Sequence, residues 1–389
     1  MNSFDYIEKD LRNLRQNHLI RKPRIFNSAQ LPRSIVDGKK VLLFSSGNYL
    51  SLCEDKELMT KAFEKALDYG MGSGGSRLTT GSCHLHQKLE DEICEFLNYR
   101  ACLLFSSGYM ANIGVLSSIC DENTVIFSDQ YNHASIIDGI RLSKGKTVVY
   151  RHLDYDDLEK KLALYSQWEK KVLVSDGLFS MNGDLLNVNR FIQIGKRYKA
   201  LTIVDDAHGF GALGHYGRGV CDLYEEKPDL LVGTFSKAIG VEGAFVATSS
   251  KIKQFLLHHA RSYIFSTSLS PFSIASIGEV LHHIREDQEK LKKLAQNVKF
   301  LVGALREIGI FVEGKHHIIP ILIGDEEKAL QIGQKMLEMG IYVSVIRYPA
   351  VEYHRAILRI TLMADHREED LQQLVSCLKE MNKRYPFIK

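Results

Sequence analysis

No two of the seven cysteines (53, 83, 94, 102, 120, 221 and 377) are spaced as Cys-x-x-Cys, and their number is odd. A zinc ribbon and a disulfide framework are therefore both unsupported. Several of these cysteines fall inside apolar periodic runs, as small core residues do in a reducing compartment. No apolar run approaches the roughly 20 residues of a membrane-spanning helix. Charge of one sign is not in excess either: the net charge is +3, with basic residues scattered among acids, which leaves no footprint for nucleic acid. Repeats and low-complexity segments are lacking. The opening Met-Asn-Ser-Phe-Asp-Tyr-Ile-Glu-Lys-Asp has no basic stretch followed by an apolar one, so no export signal is expected. These absences together predict a soluble, cytoplasmic protein with no metal site and neither a membrane nor a nucleic acid as partner.

What is present is an ordinary globular composition, 45% hydrophobic and 25% charged over 389 residues, enough for two or more domains. Residues 1–22 are charged with helical spacing, and short strand-like pieces follow, Val41–Phe44 the clearest. Lys56 to Tyr69 reads as a helix. Leu85, Leu89, Ile93 and Leu97 then place an apolar stripe at the i, i+4 spacing of another.

From residue 100 to about 250 short apolar runs recur at Cys102–Phe105, Val125–Phe127, Thr147–Tyr150, Val172–Val174, Thr202–Val204, Leu230–Val232 and Ala244–Ala247. Amphipathic segments such as 156–165 and 188–199 lie between some of them. Alternation of this kind predicts an α/β domain, a mostly parallel sheet covered by helices on both faces. After Pro271 the texture changes to a charged helical stretch (about 285–308). Strands near 318–323, 341–346 and 357–361 and helices at 326–339 and 367–383 follow, which predicts a small α+β domain with helices on one face of its sheet. The expected division is an N-terminal arm with short strands (1–45), a large domain (46–284) and the small domain (285–389).

Two residues stand out at strand ends: Asp205 in Thr-Ile-Val-Asp-Asp-Ala-His-Gly, and Lys237 in Thr-Phe-Ser-Lys-Ala-Ile-Gly. In an open α/β sheet, strand ends meet the ligand crevice. A lysine held there in partly apolar surroundings becomes nucleophilic as its charged form loses solvation. A nearby carboxylate can hold a proton on a heteroaromatic nitrogen. The pair fits pyridoxal phosphate chemistry. Singly, each has an ordinary reading, the lysine as a solvated loop residue and the aspartate as a turn or cap.

Gly70-Met-Gly-Ser-Gly-Gly75 matches the dinucleotide fingerprint literally, but a helix rather than a strand precedes it. It reads better as a mobile loop whose backbone approaches a substrate. Ser107-Gly108-Tyr109 follows a strand and opens a helical stretch, a start that suits a phosphate or is an ordinary N-cap. His133 follows another strand and could lie flat over an aromatic ring. Ser180 and His208 are further donors at strand ends. Arg359, within an apolar strand, needs a carboxylate nearby, from a substrate or from the chain itself.

In this order the motifs resemble the α-oxoamine synthases, a branch of the fold-type I pyridoxal phosphate enzymes. The stretches that carry the likeness are Gly72-Ser-Gly-Gly-Ser-Arg-Leu-Thr-Thr-Gly81, the His133 segment, Asp176-Gly-Leu-Phe-Ser-Met-Asn-Gly183, Val204–Gly209, Thr234–Gly240, Tyr263–Ser268 and Leu358–Thr361. They span most of residues 40–365.

The resemblance implies a fold-type I transferase with a seven-stranded sheet, and roles by position. Lys237 would bond the cofactor aldehyde and act as base at Cα, Asp205 would hold the pyridinium proton, and His133 would stack on the ring. Ser180 and His208 would reach its phenolic oxygen. Ser107, Gly108, Tyr109 and Thr234 would cradle the phosphate, completed by Ser266 and Thr267 from the neighbouring subunit of a homodimer. Arg359 would bind the amino-acid carboxylate, while Arg21 and Ser76 would touch the acyl substrate. The Ser-Gly-Gly-Ser-Arg-Leu form of the loop points to L-alanine and a pimeloyl thioester, on CoA or a carrier protein, as in biotin synthesis. Siblings that join glycine to acetyl-CoA usually carry other residues there.

Two stretches depart from the family pattern. Ser46-Gly47-Asn48-Tyr49 stands where Ser-Asn-Asp-Tyr is common, so an asparagine expected near the substrate is shifted or lost. Arg347-Tyr-Pro-Ala-Val-Glu352 stands where Arg-Pro-Pro-Thr-Val-Pro is usual, removing a threonine hydroxyl and adding an acid. Both bear on the acyl donor and leave the cofactor set intact.

Overall fold

The computed structural model describes residues 4–312 and 316–387. The chain forms two compact units, residues 52–180 with 184–291, and residues 1–51 with 181–183 and 292–389. The second unit begins with α1 (Asp5–Gln16), β1 (Arg33–Val36) and β2 (Lys39–Leu43).

The first unit follows with α2 (Lys56–Ala66), α3 (His84–Leu97), β3 (Ala101–Phe105), α4 (Gly108–Ile119), β4 (Thr124–Asp129), α5 (Ala134–Ser143), β5 (Lys146–Tyr150) and α6 (Tyr155–Leu164). It continues through β6 (Lys170–Asp176), α7 (Val188–Tyr198), β7 (Leu201–Asp205), β8 (Leu230–Thr234), β9 (Ala244–Thr248), α8 (Ser250–His259), α9 (Arg261–Ile264) and α10 (Pro271–Glu286). Its seven strands make one sheet in the order β3-β9-β8-β7-β6-β4-β5. The ladders among β4 to β8 are parallel. Only β9 runs against the rest, antiparallel to both β3 and β8. The seven apolar runs of the sequence are these seven strands, and the fold is that of the fold-type I transferases.

Strands β3, β4, β8 and β9 are buried at every position, which is why they read as continuous apolar runs rather than alternating ones. One face packs Leu103, Ile126, Val172, Ile203 and Val232 against Val115 and Leu116 of α4 and Ile136 and Ile140 of α5. Gly139 makes the α4–α5 approach possible. A Cβ there would stand 2.9 Å from the Asn112 carbonyl oxygen and 3.0 Å from Leu116. The helix starts are capped by side chains: Ser107 accepts from Met110 N–H, Asp154 from Asp157 N–H, and Ser270 precedes Pro271 at the first turn of α10.

The remainder of the second unit is built from α11 (Glu289–Glu307), whose first turn belongs to the other unit, with β10 (Ile318–Gly324), α12 (Glu326–Glu338), β11 (Ile341–Tyr342), β12 (Ser344–Ile346), β13 (Ala356–Thr361) and α13 (Glu368–Arg384). Here the structure departs from the reading of the sequence. The apolar run 341–346 is not one strand: β11 pairs in parallel with β2, whereas β12 pairs antiparallel with β13. Two three-stranded sheets therefore replace the expected single one, β1-β2-β11 and β10-β13-β12. The pairing of β2 with β11 also joins the N-terminal 51 residues to the C-terminal ones, where the sequence suggested a separate arm. The helical stretch near 285–308 is broken as well. Asp287 accepts from the Glu289 N–H at 2.8 Å, offering the backbone a local alternative to the helix between α10 and α11.

Candidate active site

Because β3, β4, β6, β7 and β8 run the same way, the loops after Phe105, Asp129, Asp176, Asp205 and Thr234 leave the sheet at one edge. They enclose a cavity of about 230 Å³ lined by Ser107, Gly108, Tyr109, His133, Ser180, Asp205, His208, Thr234 and Lys237. Nine positions singled out in the sequence thus meet in one place, with Ser135, Asp176, Leu178, Ala207 and Ser236 between them.

Asp205 is buried at the end of β7. Its Oδ1 accepts from the Ala207 N–H at 3.0 Å, and its Oδ2 from Asn112 Nδ2 at 2.6 Å. The same Nδ2 lies 2.9 Å from Ser135 Oγ, which lies 2.7 Å from His133 Nδ1. His133 is also the N-cap of α5, accepting from the Ser135 N–H at 3.3 Å. Burial lowers the pKa of its imidazole; Asp205 opposes this and Lys237 adds to it. Asp176, register partner of Asp205 on the next strand, accepts from the His133 N–H at 3.1 Å. Burial first, then the Asp205 charge, push the Asp176 carboxyl well above the usual carboxylate range.

A second imidazole braces the loops that carry these groups. His152 holds Asp129 at 2.8 Å through Nδ1 and Asp184 at 3.0 Å through Nε2. Burial lowers its pKa, but the two carboxylates outweigh burial and hold it at about 9, so both ring nitrogens donate. Asp129 also accepts the Tyr131 N–H at the start of the His133 loop.

The N-terminus of the 12-residue α4 faces Thr234: a Cβ on Gly108 would meet the Thr234 Cβ at 3.5 Å. Thr234 Oγ1 donates to the Gly243 carbonyl at 2.9 Å and lies 2.8 Å from Ser236 Oγ. The Tyr109 phenol donates to the Asp138 carboxylate, and its ring meets His133 edge-on at 6.4 Å. Lys237 is half-buried and His208 buried. Backbone donors, hydroxyls, an acid and an amine could hold an aromatic phosphate ester. Among the described residues no cluster of His, Cys, Asp or Glu is placed to hold a metal ion.

Five expected residues lie outside this cavity: Ser266 and Thr267, with Ser76 beside them, at a separate recess of the same unit, and Arg359 and Arg21 in the other unit. Ser266 and Thr267 line that recess with Arg77, Phe105 and Tyr263. Ser76 forms an isolated bridge with Thr267, and the Ser268 N–H donates to the Gly75 carbonyl at 3.0 Å. The glycine-rich loop is therefore not a free flap. Its backbone closes on itself, since a Cβ on Gly81 would stand 2.1 Å from the Gly75 oxygen. Arg359 lies in β13 of the other unit, where it hydrogen-bonds the buried Tyr49 phenol. Arg21 is exposed in that unit. Asn48, at the first departure from the family pattern, is buried and donates to the Gln30 carbonyl at 3.0 Å.

Sequence reading missed Asn112, Ser135 and Asp176 as members of the site. The one signal for Asn112 was an amide in the otherwise small and apolar turn Met110–Val115, where a buried polar group requires a partner.

The profile of the family "Aminotransferase class I and II" matches residues 39–378. The chain belongs to that family, within its α-oxoamine synthase branch of pyridoxal phosphate-dependent acyltransferases. It is 44% identical over 387 residues to the 8-amino-7-oxononanoate synthase of Lysinibacillus sphaericus, covering 99% of this chain and 100% of that one. To 8-amino-7-oxononanoate synthase 2 of Bacillus subtilis it is 41% identical, over 98% and 99% of the two chains. Among solved structures, serine palmitoyltransferase from S. paucimobilis with a bound PLP–myriocin aldimine superposes with a TM-score of 0.92 at 28% identity, covering 98% of each chain.

Proposed function

We propose that this chain joins L-alanine to a pimeloyl thioester with loss of CO2, giving 8-amino-7-oxononanoate and free thiol, with pyridoxal phosphate held in the strand-end cavity. One observation carries the reading: Lys237, Asp205 and His133, from the ends of three different parallel strands, line a single cavity. The names of relatives at 41–44% identity over nearly the whole chain support the substrates.

The residues present fit the cofactor. When bound, it supplies an aldehyde that an amine can capture and a cationic ring that draws electrons from Cα. The N–H groups at the start of α4, with Ser107, Tyr109 and Thr234, hold the phosphate. Asp205 holds a proton at the ring nitrogen, anchored by Asn112 and the Ala207 N–H. His133 would lie against the ring, while Ser180 and His208 would hold its phenolic oxygen.

The Lys237 amine would hold the aldehyde and, once the alanine amine has displaced it, would be free to take the alanine Cα proton. Cα attacks the thioester carbonyl, the thiolate leaves, the carboxylate departs as CO2, and Cα regains a proton. Arg359 receives the amino-acid carboxylate, and Arg21 and Ser76 contact the acyl chain. Ser266 and Thr267 complete the phosphate site of a neighbouring subunit. Their recess apart from Lys237 and the exposed Met59, Phe63, Leu67, Met71 and Phe265 support a homodimer.

Steady-state rates for alanine and glycine, each crossed with pimeloyl and acetyl thioesters, test the substrates. Alanine with the pimeloyl thioester is expected to give the highest kcat/KM. Parity with glycine and acetyl-CoA would overturn the assignment.

A further inference from the structure

We propose that Asn112 and Ser135 are positioning residues: through them the Asp205 carboxylate fixes His133 as the neutral imidazole with its proton on Nε2. The catalytic use of this relay rests on the cofactor reading above; the protonation pattern does not.

The direction of each hydrogen bond follows from chemistry. Asp205 Oδ2, 2.6 Å from the Asn112 amide, can only accept, so the NH2 side of Asn112 must face it. That NH2 also donates to Ser135 Oγ at 2.9 Å. The Ser135 backbone N–H donates to His133 Nδ1 at 3.3 Å, so that nitrogen is an acceptor, and the Ser135 hydroxyl 2.7 Å away turns its proton to it. Nδ1 thus receives two donors and carries no proton, which leaves the hydrogen on Nε2.

The reversed amide would set its oxygen against the carboxylate. The buried Asn112 Oδ1 has no hydrogen-bond partner among the described residues, so the amide is turned for its donors at the expense of its acceptor. Gly139 makes the arrangement sterically possible by letting α5, which carries Ser135, close onto α4 at Asn112.

The charged and titratable groups facing His133 are Asp205 on β7, Asp176 on β6, Lys237 beyond β8 and Tyr109 on α4. Asp205 alone would draw a second proton onto the ring. The relay spends the carboxylate's pull on an amide instead and presents the imidazole with an acceptor already filled. A neutral ring beside a cationic cofactor avoids a second positive charge over the pyridinium.

Nitrogen-15 histidine NMR of the full-length protein tests this, with the His133 signals assigned by their loss in His133→Gln. The wild type is expected to show the Nε2–H form and to remain neutral at pH 6.5, where an ordinary histidine is about half protonated. In Asn112→Ala and in Ser135→Ala the titration midpoint should rise by about one pH unit, the tenfold change that one hydrogen bond represents. Ser135→Thr, which keeps the hydroxyl, should restore the wild-type midpoint. In the loaded enzyme Asn112→Ala should lower kcat with a smaller change in KM for the amino acid. If Asn112→Ala does not fold, Ser135→Ala tests the same link. A proton on Nδ1 in the wild type, or an unmoved midpoint in Ser135→Ala, would overturn the proposal. Failure of the cofactor reading would show separately, as a protein that takes up no chromophore while its His133 signals stay as described.

Discussion

Asp176 and Asp205 stand opposite each other in register at the ends of β6 and β7, both buried. Burial and then the neighbouring charge raise the Asp176 pKa, so folding favours its protonated form. The stability this contributes is complete below the ordinary value of 3.8 and is lost as pH climbs through the raised folded value. Wild type should therefore lose stability relative to Asp176→Asn as pH rises above the ordinary value of 3.8. Denaturant unfolding at a series of pH values measures the gap, and a gap that grows in favour of wild type would contradict the sign.

His152 gives the opposite assignment of charge. Its folded pKa of about 9, above the ordinary 6.5, makes its contribution full below 6.5 and lost as pH rises through about 9. With solvent reaching part of the ring, the expected surplus is on the order of 1–2 kcal/mol. Between pH 6.5 and 9.5 the wild-type Tm should fall toward that of His152→Gln. Parallel curves would show that the bracket by Asp129 and Asp184 contributes nothing.

Gly219 adopts a φ of +96°, and a Cβ there would stand 1.9 Å from Asp206 Oδ2, which accepts the Val220 N–H. Gly219→Ala should cost about 2–4 kcal/mol through backbone strain and the displaced carboxylate. A loss below about 0.5 kcal/mol, the range of an ordinary surface change, would contradict this.

Arg359→Ala should raise the KM for alanine about 10- to 100-fold, the worth of a charge-assisted contact. Tyr49→Phe, which removes the hydrogen bond between that phenol and Arg359 and leaves the arginine in place, should shift it much less. An unchanged KM in Arg359→Ala would remove the arginine from the substrate site.

The sheet was legible because strands covered on both faces must be apolar throughout, as β3, β4, β8 and β9 are; only the edge strand β5 is mostly exposed. Residues at strand ends were legible for the same reason: Lys237 and Asp205 interrupt apolar runs where the sheet stops. The run 341–346 misled because local pattern carries no information on partners, and Val343 separates strands of two different sheets. Asn112 and Ser135 escaped because they lie within helices, where a polar residue ordinarily faces solvent. Their meaning depends on α4 and α5 closing at Gly139, a contact invisible in linear order. The loop at Gly70–Gly81 looked free because glycines are permissive, but here they admit the chain's own backbone.

The most direct test compares the visible absorbance of wild type and Lys237→Ala after incubation with pyridoxal phosphate, followed by removal of the free cofactor. Wild type should keep a visible band that changes on adding alanine, and Lys237→Ala should lose both the band and turnover. A wild type that retains no chromophore, or a variant with an unchanged spectrum, would contradict the assignment of Lys237 and the chemistry built on it.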